Sequence, residues 1–130
     1  MRIIIYSIIA LFLFLSQGFA SIYKCIESAK KYEKIYQLPE NLLVSVALTE
    51  SGKKLKGGEF VAWPWTINMR GKGKFFESKE LVLKYVENYI KKGKRNIDMG
   101  CMQVNYMYHP KAFNSLSLAF DPDTNVKWSA

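Results

Sequence analysis

Three stretches of this chain predict a mainly helical α+β domain. Residues 79–92 place Leu81, Val82, Tyr85, Val86, Tyr89 and Ile90 at the spacing of one face of an amphipathic helix. Residues 38–51 read as a second helix, opened by Leu38-Pro39-Glu40 and striped by Leu42, Leu43, Val46 and Ala47. Between the two, residues 60–76 are rich in aromatic and branched side chains around the turn signal Arg70-Gly71-Lys72-Gly73, which predicts a small β-hairpin. Pro64 keeps its first half out of a central strand position.

The first twenty residues stand apart. Arg2 gives a positive start, Ile3 to Leu15 is almost wholly apolar, and Gly18-Phe19-Ala20 sets small residues around a cleavage point before Ser21. The apolar run falls short of the roughly 20 residues that span a bilayer, because Ser16-Gln17-Gly18 interrupts it. Residues 1–20 are therefore predicted to be a cleaved secretory signal, and no cysteine at position 21 suggests lipid attachment. The expected product is a periplasmic or secreted domain over residues 21–130, with no integral membrane segment after cleavage. The whole chain of 130 residues carries a formal net charge of +8, and losing Arg2 leaves +7.

The remaining elements follow in order. Residues 22–37 predict a first helix with Ile22, Ile26, Ala29, Glu33 and Tyr36 along one face, ended by Leu38-Pro39. The glycine- and lysine-rich residues 52–58 predict an exposed loop. Ser78 is the N-cap and Gly93 the stop of the amphipathic helix. Residues 97–105 form a compact segment in which Gly100 permits an unusual backbone conformation. After His109-Pro110 a short helix is expected through Ala112, Phe113 and Leu116. The last helix starts with Asp121 as N-cap and Pro122 at the first helical position.

The candidate chemistry begins at Glu50. One turn beyond Val46, it continues the apolar stripe with a carboxyl group. Desolvation there would raise its pKa, as a general acid near neutral pH requires. The plainer alternative is a solvated acid at a helix end, since Ser51-Gly52 stops the helix at once. Trp63 and Trp65 around Pro64 are either a core plug or a flat platform for a sugar ring. The positive charge suits an anionic polymer such as a cell wall or a membrane surface, although Lys91-Lys92-Gly93-Lys94-Arg95 also reads as a solvated helix end. A single histidine and two distant cysteines offer no metal site, no cofactor is implied, and no nucleic-acid motif exists beyond charge. Export allows Cys25 and Cys101 to pair, closing a loop of about 77 residues and stabilising by roughly 4 kcal/mol in the chain-entropy model. Cys101 alone would equally serve as a small buried hydrophobe.

Glu50-Ser51 after an apolar helix, followed some fifty residues on by Gly100-Cys101-Met102-Gln103-Val104-Asn105, resembles the soluble lytic transglycosylase (SLT) family. Phe120-Asp121-Pro122 with Asn125-Val126 is similar to that family's Asp-Pro-x-x-Asn-Val/Ile helix start, and Trp63-Pro64-Trp65-Thr66-Ile67-Asn68 to an insertion in an exported subgroup. The resemblance covers roughly residues 25 to 130. It implies a lysozyme-like fold, with helices around a glycan groove, and cleavage of peptidoglycan between N-acetylmuramic acid and N-acetylglucosamine to leave a 1,6-anhydro product. Glu50 matches the single catalytic acid. Ser51, Met102 and Gln103 match positions lining the groove, and Gly100 the glycine that lets the chain pass close to it. Asn105, Trp63 and Trp65 are further candidates for binding glycan. A hydrolase using two carboxylates would need a second acid, for which Asp98, Glu59 and Glu77 are candidates by position. The resemblance also implies glycan strands as partner, and service to an envelope machine such as a secretion system or pilus. The family continues past the position of Ala130 with further helices and an Ala-Tyr-Asn/Ser motif that this sequence does not contain, so the C-terminal part of an SLT domain is expected to be missing.

Overall fold

The computed structural model describes residues 22–130, in which five helices pack with two small antiparallel sheets. The expected secretory signal over residues 1–20 lies outside the described residues. Among these, no helix is long and apolar enough to cross a membrane.

Helix α1 (Lys24–Ile35) buries Cys25, Ser28, Ala29, Tyr32 and Glu33. Tyr36, expected on its buried face, is exposed, because the helix has already ended. A buried carboxylate on this face has a definite task. Glu33, 6 % exposed, accepts hydrogen bonds from the backbone N–H groups of Asn41 (3.1 Å) and Val44 (3.0 Å). These are orphan donors at the start of α2 (Leu42–Ser51), whose own N-cap, Asn41, contributes no side-chain bond. Capping thus comes from the neighbouring helix, and α2 starts later than Pro39-Glu40 suggests.

Strands β1 (Gly52–Lys54) and β2 (Phe60–Ala62) pair antiparallel, with Gly52 opposite Ala62. The exposed loop expected over 52–58 is therefore partly strand, closed by the Leu55 N–H on the Glu59 carbonyl at 2.7 Å. The second sheet has the order β4-β3-β5-β6 and comprises β3 (Thr66–Met69), β4 (Lys72–Phe75), β5 (Asp98–Met99) and β6 (Val104–Asn105). The predicted hairpin is β3–β4. Its turn is only Arg70-Gly71, at φ 53° and 83°, the two positive values of a type I′ connection, and Asn68 Oδ1 accepts the Gly71 N–H at 2.8 Å.

Helix α3 (Lys79–Lys91) starts where Ser78 accepts the Leu81 N–H at 3.3 Å. Val82 and Val86 are fully buried; Leu81 is 50 % exposed, and Leu83 takes the packing position instead. Helix α4 (Leu116–Ala119) is one turn capped by Ser115, so the expected helix through Ala112 and Phe113 is replaced by turns that carry Phe113 into both main cores. Helix α5 (Pro122–Ser129) begins at Asp121, whose Oδ2 accepts from the Thr124 N–H at 2.9 Å.

Two cores result. One joins α1, α2, α5 and the 101–104 segment through Ala29, Tyr32, Leu43, Ala47, Met102 and Val126. The other lies between the second sheet, α3 and α4, around Ile67, Val82, Val86, Ile97, Met99 and Phe120. α1 and α5 are also clamped at one carboxylate: Lys31 Nζ lies 2.7 Å from Asp123 Oδ1, and the Tyr32 hydroxyl donates to Oδ2 at 2.8 Å. The Lys31 ammonium holds the Asp123 carboxyl below the usual range, and the Tyr32 hydroxyl acts in the same direction.

Candidate functional site

The Glu50 region is built at the C-terminal end of α2. That helix has two parallel rows at four-residue spacing. Leu43, Ala47 and Ser51 are buried, while Leu42 (44 % exposed), Val46 (38 %) and Glu50 face solvent. The sequence merged both rows into one stripe because both are apolar, and Glu50 continues the uncovered one. The desolvated acid expected from the pattern is therefore corrected: among the described residues nothing buries Glu50.

The residue after Glu50 is fixed by contrast. Ser51 is buried, and its Oγ lies 2.9 Å from the Ala47 carbonyl and 2.8 Å from the Cys101 carbonyl. Its own carbonyl accepts the Trp63 N–H at 2.8 Å. Ser51 therefore does not line a groove; it welds the end of α2 to the 100–105 segment and to the chain beyond β2. Cys25 and Cys101 are joined in a disulfide, with Cα atoms 5.6 Å apart, so that segment is also tied to α1.

The 100–105 segment is held almost entirely by internal bonds. Asn125, fully buried on α5, accepts the Met102 N–H at 2.8 Å and donates to the carbonyls of Met99 (3.0 Å) and Ala119 (2.9 Å). Gly100 sits at φ 78°, where a Cβ would come within 2.5 Å of the Ala119 carbonyl and of Asn125 Nδ2. The close approach that demands glycine is thus to Asn125 and α4, not to a ligand. Met102, expected in the groove, is 8 % exposed and belongs to the core around Ala47 and Val126. Gln103, at φ 49°, donates its side-chain N–H to the Gly100 carbonyl (2.9 Å) and the Thr66 carbonyl (3.3 Å). Asn105 bonds Asp98 (2.8 Å) and Asn96 (3.0 Å) through Nδ2 and accepts the N–H groups of Met107 and Tyr108, which makes it a turn residue.

The tryptophans divide. Trp63 is buried against Ile22 and Val61 with its indole N–H on the Phe76 carbonyl at 2.7 Å, so it is the core plug and not a sugar platform. Lys53 Nζ covers its ring at 3.7 Å from the centroid. Trp65 is half-buried and packs edge-on against Trp63 at 5.9 Å. It lines a cleft with α1 and the start of α5 rather than the surface around Glu50. Of the possible second acids, Asp98 is paired with Asn105 and Glu59 receives the Tyr23 hydroxyl at 2.9 Å. Glu77 is exposed at the foot of α3.

The structure therefore brings Glu50, Ser51, the 100–105 segment and the chain around Thr66 into one bonded unit, with Glu50 as an exposed carboxylate at its edge. Sequence reasoning missed the role of Asn125 and of Glu33. For Asn125 the signal was an amide one turn inside a well-capped helix; for Glu33 it was an acid on an otherwise apolar face. Among the described residues no group of three or more His, Cys, Asp or Glu side chains is arranged to hold a metal. No family model, curated protein or solved structure matches this chain.

Proposed function

We propose that this protein is an exported peptidoglycan lytic transglycosylase of lysozyme-like fold, cutting the β-1,4 bond between N-acetylmuramic acid and N-acetylglucosamine with Glu50 as its single catalytic group. One observation carries the reading: Glu50 presents an exposed carboxyl group directly before a residue that is buried and bonded to the disulfide-anchored Cys101 segment. A working carboxyl needs such a fixed backbone, because positioning supplies much of its effect. In its protonated form Glu50 gives its proton to the leaving glycosidic oxygen as the bond to C1 breaks. The substrate's own N-acetyl oxygen stabilises C1. The Glu50 carboxylate then takes the proton of the 6-hydroxyl as O6 bonds C1, so no water is consumed and Glu50 ends protonated.

A second reading, a glycan-binding protein without catalysis, is favoured by the exposure of Leu42, Val46 and Glu50. A general acid works best in a site that excludes water, and no described residue covers this face. The two readings separate on purified sacculi. The transglycosylase reading expects soluble fragments from the wild type, with Glu50→Gln still bound to the sacculus and releasing none. Release by Glu50→Gln overturns it; a wild type that binds without release favours the binding protein.

A further inference from the structure

We propose that the cleft between α1 and the start of α5 is a second carbohydrate site, built for an uncharged sugar and separate from Glu50. The cleft encloses about 480 Å³ and is lined by Lys24, Glu27, Ser28 and Lys31 of α1, by Trp65 and Lys79, and by Phe120 to Asp123. Its position follows from the helix. Lys24, Glu27, Ser28 and Lys31 share one face of α1, whereas Glu33, which caps α2, lies on the order of 170° around the axis at 100° per residue. The cleft therefore opens on the side of α1 turned away from α2, and one bound ring cannot reach both it and Glu50.

Charge and shape define the ligand. Three ammonium groups (Lys24, Lys31, Lys79) are balanced by three carboxylates (Glu27, Asp121, Asp123), so neither an anion nor a cation gains net attraction. Two of these pairs are already made, Lys24–Glu27 at 3.1 Å and Lys31–Asp123 at 2.7 Å. They are held in place without being saturated. An ammonium offers three donors and a carboxylate about four acceptor sites, so each pair keeps both a donor and an acceptor for a hydroxyl. Asp121 uses only Oδ2 for its cap, on the N–H and hydroxyl of Thr124. Lys79 has no carboxylate partner among the described residues. Half-buried Trp65, with Pro122, supplies the apolar wall, and the buried ring of Phe120 lies behind it in the core. An aromatic wall beside charged groups that both donate and accept matches a pyranose ring, with its C–H faces and rim of hydroxyls.

The proposal does not depend on chemistry at Glu50. The test uses the Glu50→Gln protein, titrated with chitotetraose and followed by ¹H–¹⁵N spectra. Shifts are expected at the Trp65 indole N–H and at the amides of residues 24–31, Phe120, Asp121, Asp123 and Thr124, and binding should persist between about 0.05 and 0.3 M salt. Trp65→Ala should weaken binding about tenfold or more. Because Trp65 also packs on the core, Lys79→Ala is the companion variant and should weaken it about threefold with unchanged thermal stability. Shifts confined to the end of α2, binding abolished by salt, or no binding each overturn the second site. Failure of cleavage alone leaves these readouts untouched and bears only on the reading of Glu50.

Discussion

Asn125 is a single buried polar side chain whose loss the structure predicts to be costly. Asn125→Ala removes three buried hydrogen bonds at once. The Met102 N–H loses its acceptor outright, which costs about 1–3 kcal/mol for a buried donor, and each of the two carbonyl bonds adds roughly 1 kcal/mol. A deficit of about 4 kcal/mol follows, against a total of about 5–15 kcal/mol for an ordinary domain. The melting temperature should fall by about 15 °C or more. Asn125→Asp sharpens the argument. It keeps an acceptor for Met102 but turns the other oxygen towards the carbonyls of Met99 and Ala119, so the buried acid is tolerated only when protonated. Its folded-state pKa is raised, so its stability should be nearest the wild type below about pH 4 and decline as pH rises past that value. Urea melts at pH 4 and pH 7, with the disulfide intact, measure both effects. An Asn125→Ala protein within about 1 kcal/mol of the wild type would refute this account of how the 100–105 segment is held.

Three further outcomes are expected. Glu33→Ala should cost about 2 kcal/mol, because the start of α2 loses both acceptors for its N–H groups; an unchanged urea midpoint would show that water caps it equally well. Trp63→Ala should cost about 3–5 kcal/mol through lost packing and the lost bond to Phe76, whereas a stable variant with weakened sugar binding would restore the platform reading. The depressed Asp123 pKa means that its clamp on α1 is intact above about pH 4 and is lost as pH falls through the lower folded value. Asp123→Asn should therefore flatten the acid limb of the stability–pH curve, modestly, since the pair is about half exposed.

What the sequence could reveal depended on whether the signal was local. Ser78, Asp121 and Pro122 mark helix starts through bonds within three residues, and those starts are found as predicted. The Cys25–Cys101 pairing, expected on the reading that the chain is exported, is present as well. The α2 stripe failed for a different reason: Leu42/Val46 and Leu43/Ala47 are equally apolar, and only the placement of α1 and the 101–104 segment decides which row is covered. Lys-rich β1 was invisible because its pairing partner β2 lies across a loop, and edge strands tolerate exposed lysine. Ser51, at the end of α2, and Met102 are buried, and with the partly exposed Gln103 and Asn105 their hydrogen bonds and packing hold the 100–105 segment and the core beneath it, tertiary roles that the motif's spacing does not reveal.

The central claim is that Glu50 alone performs acid and base steps on a glycan. Mass spectrometry of muropeptides released from purified sacculi tests it most directly. The account predicts 1,6-anhydro-N-acetylmuramic ends from the wild type and no release from Glu50→Gln, whose stability should match the wild type because an exposed carboxyl is replaced. Anhydro products from Glu50→Gln, or reducing ends from the wild type, would contradict it.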